Sequence, residues 1–522
     1  MALDPRTPVV VGVGQITNRP DPAVEPAARP EPVELMARSL QAAIEDCDGA
    51  APGGPAPAGR TLLRRADSIR VVVPLGWRAI NPALLVAEKL GFDRDSAPSE
   101  LMLSAIGGNT PQAFMHQACG AISRGDLDVV LVTGAEAMYT RGAVRRDPAL
   151  TPLSWSSQPA VGTPEPTIFG VDKSGSTDLE LSRGVVLPIH AYPLLENALR
   201  AAHGWTLDEH RARIGAIWSR FSQVAETNPY AWIHRPRTPA EIVTPTEENR
   251  MVSFPYPKLC TANMGVDQGA GYIVCSVEAA RSAGVPEDRW VFPLAGADAN
   301  DHWFISHRPE LHRSPAIRLA GQAALTLAGV GIDDVGPIDL YSCFPAVVQM
   351  AAHELGLPAD DPARPLTLTG GLTFGGGPGN NYTSHGIAQA VGALRAEPGA
   401  VGLVTGLGWF ATKHSVGLYA SRPPDHGGGE PFAWRDVQPE VDALPQCRVD
   451  SEATGPVRVE TYTVAYGREG QPERGILACR TARETRAWGN STDPDTLAQL
   501  VSEEGIGRTG RLAADGTVTL DG

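Results

Sequence analysis

The sequence is poor in positive charge and has no long apolar run, and both shortages exclude classes of protein. Its 522 residues include 44 lysines and arginines against 59 aspartates and glutamates, a formal net charge of −15. This balance disfavours binding to a nucleic-acid backbone or to an anionic membrane surface. No segment approaches the roughly eighteen consecutive apolar residues that mark a membrane-spanning helix. We therefore expect neither nucleic acid nor a membrane among the partners.

The seven cysteines are odd in number, widely spaced and without any CxxC pair. This spacing predicts neither a disulfide framework nor a structural zinc site, so we expect no metal centre. The opening residues, MALDPRTPVVVGVG, lack the basic region and apolar stretch of a secretory leader, which favours a cytoplasmic protein. GxGxxG, Walker A and HExxH motifs do not stand out either, so nothing indicates a tightly bound nucleotide cofactor or a zinc hydrolase.

What the sequence does contain is a repeat. The apolar strand pattern VVLVTG at 129–134 returns as VGLVTG at 401–406, and each copy follows a glycine-rich turn and a stretch of helical periodicity. This order predicts a duplicated α/β unit with mostly parallel strands and right-handed crossovers. Matching strand patterns, proline-initiated helical patterns and A-x-x-L-G helix endings lie upstream in the same order, at 8–14, 32–47, 68–77 and 84–92 in the first half and at 290–298, 315–328, 337–344 and 350–357 in the second.

The repeat also predicts the domain organisation. We expect an N-terminal half at 1–289, a C-terminal half at 290–423 and an additional domain at 424–522, after the break PPDHGGGEP. An insertion at about 140–255, rich in Pro, Trp and His, interrupts the first half, and we expect it to cover a site. In the last domain, VRVETYTVAYG and RGILACRT flank REGQPE and predict a β-hairpin within a small β domain.

Three further segments carry a family resemblance: GDLDVVLVTGAEAMYTR, SCFPAVVQM and TGGLTFGGGPGN. Together with the repeat, they resemble the thiolase superfamily over about 1–423. HAYPLLENALR and FPYPKLCTANMGVDQGAG are similar to sterol-carrier-type thiolases, and the added C-terminal domain is similar to that of type 1 thiolase-like proteins. The resemblance implies an α/β thiolase fold, a five-layered αβαβα core of two similar halves, plus a small appended β domain of OB-like type. It also implies acyltransferase chemistry on coenzyme A thioesters.

The reactive residues of that family are not matched. The resemblance implies a nucleophilic cysteine at the N-terminus of a buried helix, whose dipole stabilises the thiolate, but the sequence has Gly108 there, or Gly107 if the loop is shifted. The other three reactive positions are also altered, to Gly377 for an oxyanion histidine, Thr405 or Gly406 for the second cysteine, and Tyr341 for a water-binding histidine or asparagine.

Three functions stay open when all four reactive positions are altered. The first is binding of CoA thioesters with weak or no condensing activity. The second is a lyase reaction that needs no acyl-cysteine, such as retro-aldol cleavage of a 3-hydroxyacyl-CoA. The third is a structural or scaffolding role. We predict CoA or acyl-CoA as the ligand, no tightly bound cofactor, and a monomer or homodimer, since the added domain can block the surface through which thiolases associate.

Several residues near the altered positions can supply acid, base or hydrogen-bonding groups. His385 has an ordinary pKa suited to proton transfer at neutral pH, or is a polar residue near a helix start. Tyr341 can donate a hydrogen bond to a thioester or aldol oxygen, or is a core tyrosine at a strand end. Cys343 is a further candidate nucleophile or a packed thiol, and the Asn380 amide is a candidate oxyanion donor or a turn residue.

The resemblance also implies contacts to CoA. The family's pantetheine-binding segment corresponds to NMGVDQG, which starts at Asn263, and the basic run HRPR at 234–237 offers phosphate contacts or is a solvated loop. We predict that the ligand contacts Asn263, Met264, Gly265, Lys258, Phe344, Gly108 and Gly377.

Overall fold

The computed structural model describes residues 3–93, 96–424 and 431–521, so most of the predicted break PPDHGGGEP lies outside the described residues. No helix in these ranges is both long and apolar enough to cross a membrane. The strands before residue 300 are β1 Pro8–Thr17, β2 Ser68–Val71, β3 Glu100–Ser104, β4 Val129–Ala137, β5 Thr167–Phe169, β6 Met251–Ser253, β7 Tyr256–Pro257, β8 Asp267–Ser276 and β9 Phe292–Asn300. The later strands are β10 Val335–Asp339, β11 Val401–Gly408, β12 Lys413–Ala420, β13 Ala433–Asp436, β14 Gly455–Tyr466, β15 Pro472–Thr481, β16 Arg486–Ser491, β17 Thr509–Leu512 and β18 Val518–Leu520.

The helices alternate with these strands through most of the chain. The first ones are α1 Pro32–Cys47, α2 Pro57–Arg64, α3 Pro82–Lys89, α4 Thr110–Arg124, α5 Met138–Arg146, α6 Asp178–Ser182, α7 Pro188–Ala202, α8 Leu207–Thr227 and α9 Pro239–Val243. They are followed by α10 Val277–Ala283, α11 Pro315–Ala328, α12 Pro345–Leu355, α13 Gly371–Phe374, α14 Tyr382–Ala396, α15 Gln438–Asp442 and α16 Pro494–Ser502.

Two sheets form the core. The first is six-stranded, in the order β1-β8-β4-β2-β3-β5, and the second is five-stranded, in the order β10-β11-β12-β9-β13. Helices α4 and α14 each contact strands of both sheets, so they form the middle layer. Helix α1 covers the other face of the first sheet and α11 the other face of the second. The predicted five-layered arrangement of two similar halves is confirmed.

The predicted repeat is visible in the element boundaries. Helices α1 and α11 occupy the residues predicted from periodicity, and each has proline in its first turn, where no backbone N–H is needed. Gly91 and Gly356, the predicted helix endings, have φ of 94° and 76°, a conformation that glycine adopts without a Cβ clash. The glycine-rich loops lead into α4 and α14, and therefore place both loops at the middle layer.

The sheets are mixed rather than mostly parallel. Strand β2 pairs in parallel with β3 and β4, and β10 with β11, as crossover helices require. However, β8 is antiparallel to β1 and β4, and β12 is antiparallel to β11 and β9. The prediction missed this because it ended each repeated unit at β4 and β11, one strand too early.

The C-terminal β domain is present, and its hairpin is confirmed. Strands β14 and β15 pair antiparallel around the predicted turn, within a sheet ordered β16-β15-β14-β17-β18. A bridge between Asn490 and Thr517 brings the two ends of this order together, and the OB-like type stays a prediction. Strand β13 lies within 424–522 but pairs with β9 of the second core sheet, so the β domain proper follows it.

Buried polar contacts fix this β domain to the core. The side chain of Arg486 is fully buried, and its Nη1 donates to the carbonyl oxygens of Ile305, Ser306 and Arg308 at 3.0, 2.8 and 2.7 Å. Its Nε and Nη2 donate to the carboxylate of Glu460 at 2.7 and 2.6 Å. The guanidinium therefore bridges the two parts of the chain with all three nitrogens paired, as a buried cation requires.

Candidate functional site

The first glycine-rich loop connects β3 to the N-terminus of α4, and Gly108 lies in its last part. A Cβ placed on Gly108 would lie 2.5 Å from the Leu407 carbonyl oxygen and 2.7 Å from Cζ of Tyr341, with the tyrosine hydroxyl closer still. Real Cβ atoms do not approach heavy atoms this closely. The space that a nucleophilic side chain would need is therefore filled by Tyr341.

Tyr341 is held firmly in that space. Its backbone N–H donates to Thr405 Oγ1 at 2.9 Å, and its ring packs edge-on against Tyr382 with centroids 5.3 Å apart. On the other side of the loop, Thr383 Oγ1 donates to the Gly108 carbonyl oxygen at 2.7 Å. Burial raises the pKa of the Tyr341 hydroxyl well above its ordinary value. The group therefore stays protonated and can act only as a neutral hydrogen-bonding group.

Cys343 is a packed thiol. Burial raises its pKa to about 12, and the hydrogen bond with the Tyr192 hydroxyl lowers it only in part. A protonated thiol is a poor nucleophile, so the structure favours the packing role over the nucleophilic one. Phe344, next in sequence, is buried in a stack between Tyr192 and Tyr256, with ring centroids 4.5 and 5.6 Å away. Its side chain lies in the hydrophobic core and does not line the cavity beside Lys258 and Asn263.

The turn between β11 and β12 is strained. Trp409 and Ala411 have φ of 55° and 52°, a conformation that costs a non-glycine residue about 1 kcal/mol. The Tyr192 hydroxyl holds the turn, since it donates to the Trp409 carbonyl oxygen at 2.6 Å and accepts from the Ala411 N–H at 3.0 Å. Sequence reasoning missed Tyr192, because nothing near it in the chain indicates this contact.

Lys413 follows this turn and was also missed. Its Nζ donates to the carbonyl oxygens of Ile106 and Val171, both at 2.7 Å, and so fixes the first glycine-rich loop. Burial lowers the pKa of the ammonium to about 8, although the nearby Asp172 carboxylate partly offsets this. A lysine at the start of the buried strand pattern KHSVGLYA is the one sequence signal that points to it.

Asn380 joins the two glycine-rich loops. Its Oδ1 accepts from the Gly107 N–H at 3.1 Å, and its Nδ2 donates to the Val73 carbonyl oxygen at 2.8 Å. Both halves of the amide are therefore engaged in holding the loops together. The structure therefore places Asn380 next to Gly107 in the first loop. Its amide N–H group is already paired with the Val73 carbonyl oxygen.

His385 lies deeper along α14. Its Nδ1 is 2.9 Å from Gln15 Oε1 of β1, and its buried Nε2 has no hydrogen-bond partner among the described residues. Burial lowers the pKa of the imidazole to about 3, so the ring is neutral at physiological pH. The described contacts join it to Gln15 rather than to Tyr341 or Cys343. His385 therefore stays a prediction as an acid or base.

The second glycine-rich loop, residues 375–379, is less crowded at Gly377 than the first is at Gly108. A Cβ on Gly377 would meet nothing nearer than the Asn263 carbonyl oxygen at 3.3 Å and Leu372 Cδ2 at 3.5 Å. The Gly377 N–H donates to the same Asn263 oxygen at 2.9 Å. This bond brings two of the predicted ligand-binding residues together.

A buried carboxylate lies beside the second loop. Glu136, at the end of β4, accepts hydrogen bonds from the backbone N–H groups of Leu75 and Gly76, and any Cβ on Gly379 would collide with it. Burial raises the pKa of this carboxyl group to about 7, although the two backbone donors lower it in part. Sequence reasoning missed Glu136, since the resemblance assigns no role to it.

A large cavity lies between the inserted segment and the second loop. Its volume is about 790 Å³, within the usual range for small-molecule sites. Lys258, Asn263 and Met264, three of the predicted ligand contacts, line it together with Arg237, Glu241 and Glu248. Gly265 adjoins them, with its N–H 3.2 Å from Asn263 Oδ1. Within the described residues no group of three or more His, Cys, Asp and Glu side chains is arranged to hold a metal ion.

Apart from Cys343, whose buried thiol lies against Tyr192, the predicted site residues fall into two groups and two outliers. Tyr341, Gly108 and Asn380 meet at the first loop, while Lys258, Asn263, Met264, Gly265 and Gly377 lie at or beside the cavity. The structure does not bring His385 or Phe344 to either group.

Comparisons with known proteins agree with this architecture. The model of the "Thiolase-like protein type 1 additional C-terminal domain" matches residues 436–517. The monomeric SCP2-thiolase-like protein type 1 (STLP1) from Mycobacterium smegmatis is 33% identical, with a TM-score of 0.81 and coverage of 100% of both chains. No curated protein sequence matches.

Two more distant structures share the fold alone. The Ltp2-ChsH2(DUF35) aldolase is 21% identical, with a TM-score of 0.55 over 80% of this chain and 99% of the other. The Acat5 thiolase from Ascaris suum, solved in complex with coenzyme A, is 14% identical, with a TM-score of 0.53 over 79% of this chain and 99% of the other.

Proposed function

The chain belongs to the SCP2-thiolase-like proteins of type 1, and from that premise we propose that it binds coenzyme A or an acyl-CoA without conventional thiolase catalysis. The observation that carries the proposal is the pairing of an open cavity, lined by Lys258 and Asn263, with a filled nucleophile position at Gly108. One feature supports binding, and the other opposes acyl transfer to the enzyme.

The cavity has groups for both ends of CoA. Arg237 and Lys258 provide cations for phosphate oxygens, and Asn263 provides an amide for the amide-rich pantetheine arm. The backbone of Arg237 is fixed to α8, since its carbonyl accepts from Ser219 Oγ at 2.7 Å and its N–H donates to Ser222 Oγ at 2.9 Å. A distant relative of the same fold, the Ascaris suum thiolase, was solved with CoA bound, which supports the choice of ligand.

The absence of an acyl acceptor argues against thiolysis. Thiolysis requires a thiolate at the N-terminus of a buried helix, and Gly108 has neither a side chain nor room for one. Cys343, the nearest thiol in sequence to Tyr341, has a pKa of about 12 and stays protonated. We therefore expect CoA binding to be separable from any turnover.

Isothermal titration with CoA tests the proposal directly. We expect saturable binding that weakens in Lys258→Gln, because a phosphate of the ligand loses a cationic partner, and that is unchanged in Lys89→Gln, a lysine on the remote helix α3. Acetoacetyl-CoA thiolysis should stay at the level of the buffer. The absence of heat with CoA at millimolar concentration would refute binding, and thiolysis abolished by Cys343→Ala would refute the assignment of the missing nucleophile.

Retro-aldol cleavage of a 3-hydroxyacyl-CoA is the second candidate. It is favoured by Tyr341, whose protonated hydroxyl occupies the former nucleophile position and can donate to a thioester oxygen. In this reaction the bond between Cα and Cβ breaks, the 3-hydroxyl loses its proton to give a carbonyl product, and Cα gains a proton. Release of aldehyde or ketone that falls in Tyr341→Phe would support it. If neither CoA binding nor cleavage is found, the scaffolding role gains.

The chain acts as a monomer in this proposal. Its Mycobacterium smegmatis relative is described as monomeric, and strands β5 and β13 occupy the outer edges of the two core sheets. Light scattering after size exclusion tests this, with a homodimer as the contrary result. A cytoplasmic location is proposed with it, and cell fractionation tests that.

A further inference from the structure

The CoA cavity contains acidic groups that a phosphate-binding site does not need. Glu241 and Glu248 line it together with the cations Arg237 and Lys258, so the charges of these four side chains cancel. The chain as a whole carries a net charge of −15, which further repels a polyanion such as CoA. An acidic side chain inside such a cavity must either stay clear of the cations or be paired with them.

Glu241 is paired with the cations. Its Oε1 lies 3.2 Å from Nη2 of Arg235 and 3.6 Å from Nη1 of Arg237, so one carboxylate oxygen serves two guanidinium groups. The Arg237 side chain is 20% exposed, and its buried Nε has no hydrogen-bond partner in the described structure. The pair of arginines is therefore incompletely satisfied by this carboxylate alone.

The other oxygen of Glu241 has a separate, structural task. Oε2 accepts from the Thr238 N–H at 2.9 Å and from Thr238 Oγ1 at 3.0 Å, while Thr238 Oγ1 accepts from the Glu241 N–H at 3.2 Å. This is a capping box at the start of α9, a motif in which glutamine serves as well as glutamate. These hydrogen bonds to Thr238, more than the arginines, hold the pKa of the Glu241 carboxyl below its ordinary value.

The ion pairs themselves are weak and replaceable. The side chains of Arg235 and Glu241 are 67% and 38% exposed, and pairs of this kind contribute little to stability. A phosphate group carries more charge than a carboxylate and offers several oxygens, so two guanidinium groups bind it in bidentate fashion. A phosphate ligand thus takes the place of Glu241 Oε1 at small cost, while the capping bonds to Oε2 persist.

We infer that Glu241 is an internal counter-ion of the CoA site: its carboxylate occupies Arg235 and Arg237 in the free protein, and a phosphate group of CoA displaces it on binding. This inference rests on the proposed CoA binding. It assigns Glu241 a role in setting affinity and in selecting ligands that carry phosphate, which no sequence motif of this chain indicates.

Glu241→Gln separates the two tasks of this side chain. Glutamine keeps the capping box and removes the charge, so we expect an unchanged melting temperature and a Kd for CoA lowered about three- to tenfold. Glu248→Gln is the matched control: it also removes one negative charge from the cavity wall, but Glu248 forms no ion pair with either arginine in the described structure. We expect its effect on the Kd to be less than about twofold.

Pantetheine, which has no phosphate, is the second arm of the experiment. Its Kd should be the same for the wild-type protein and for Glu241→Gln, and dephospho-CoA identifies whether the 3′-phosphate or the diphosphate is the displacing group. The inference would be overturned if Glu241→Gln and Glu248→Gln gained affinity equally, if the gain were equal for CoA and pantetheine, or if affinity did not increase at all. None of these results would contradict CoA binding itself. If CoA binds neither the wild-type protein nor the variant, the proposed function fails as well.

Discussion

The two glycine-rich loops hold the same place in the repeated unit, but they differ in the space around them. At Gly108 a Cβ would lie 2.5 Å from a backbone oxygen and 2.7 Å from a tyrosine ring, whereas at Gly377 the nearest atom would be 3.3 Å away. At Gly108 a neighbouring tyrosine thus fills the space that a side chain would need, whereas at Gly377 no neighbour comes as close. The first therefore leaves no room even for a Cβ, while the second leaves room for one only in tight contact with a backbone oxygen.

Gly108→Cys should have the largest effect on stability. The new side chain would collide with the Leu407 carbonyl oxygen, which is backbone and cannot rotate away. We expect the free energy of unfolding to fall by about 3 kcal/mol, the upper end for overpacked cores, with no gain of thiolysis. Urea denaturation followed by circular dichroism measures the change.

A double-mutant cycle with Tyr341→Ala sharpens this result. The tyrosine ring is part of the collision, so the double variant should be more stable than the sum of the two single losses implies. Strictly additive losses would mean that Tyr341 does not fill the position of the missing nucleophile.

The two loops should also contribute to stability with opposite dependence on pH. At the first loop the titrating group is Lys413. The pKa of Lys413 is lowered from 10.5 to about 8, so the unfolded chain binds more protons between these values. Stability therefore rises as pH increases from about 8 towards 10. Lys413→Met should lack this rise, and the difference should be on the order of 1 kcal/mol. Parallel pH curves for the two proteins would contradict the burial of the ammonium.

At the second loop, stability changes with pH in the opposite direction. The pKa of Glu136 is raised from 4.5 to about 7, so the folded protein binds more protons between these values. The stabilisation is fully present below pH 4.5 and is lost as the pH rises through about 7. Compared with Glu136→Gln, the wild-type protein should lose on the order of 1 kcal/mol more between these limits, as measured by urea denaturation at each pH.

Gly377→Ala should have the smallest effect. The added methyl group meets the Asn263 carbonyl oxygen at 3.3 Å, a tight contact that a small shift relieves, so we expect a loss of no more than about 1 kcal/mol. Gly376→Ala is the matched contrast, because its φ of 112° and the Gln268 Cδ atom at 2.8 Å both oppose a side chain. Similar melting temperatures for the two variants would show that the second loop has no more room for a side chain at Gly377 than at Gly376.

Much of the fold could be predicted from the sequence because it depends on local patterns. Helices α1 and α11 follow from apolar periodicity and an initial proline, and the A-x-x-L-G endings predict where α3 and α12 stop. Strand β8 could not be predicted in this way, since its antiparallel pairing with β1 and β4 depends on neighbours far along the chain. Strand β12 was missed although one of its two antiparallel neighbours, β11, directly precedes it, while the other, β9, is distant.

The candidate site shows the same division. The resemblance predicted that Lys258, Asn263 and Met264 contact the ligand; the three residues, which are close together in sequence, line the cavity, and their contact with a ligand stays a prediction. It could not predict that Tyr341 fills the space at Gly108, or that Lys413 fixes the same loop, because these contacts join segments from opposite halves. The lowered pKa of His385 is equally invisible in sequence, since burial alone causes it.

The Arg486 contacts have a consequence for how the whole chain comes apart. Three backbone oxygens of the second half, at Ile305, Ser306 and Arg308, have a donor in a residue of the β domain. Separating the two regions would leave these oxygens and the Glu460 carboxylate without that partner, at about 1–3 kcal/mol for each group that stays buried. We therefore expect the β domain to unfold together with the core in one cooperative transition. A protein truncated before this domain would expose to solvent an interface that is buried in the full chain.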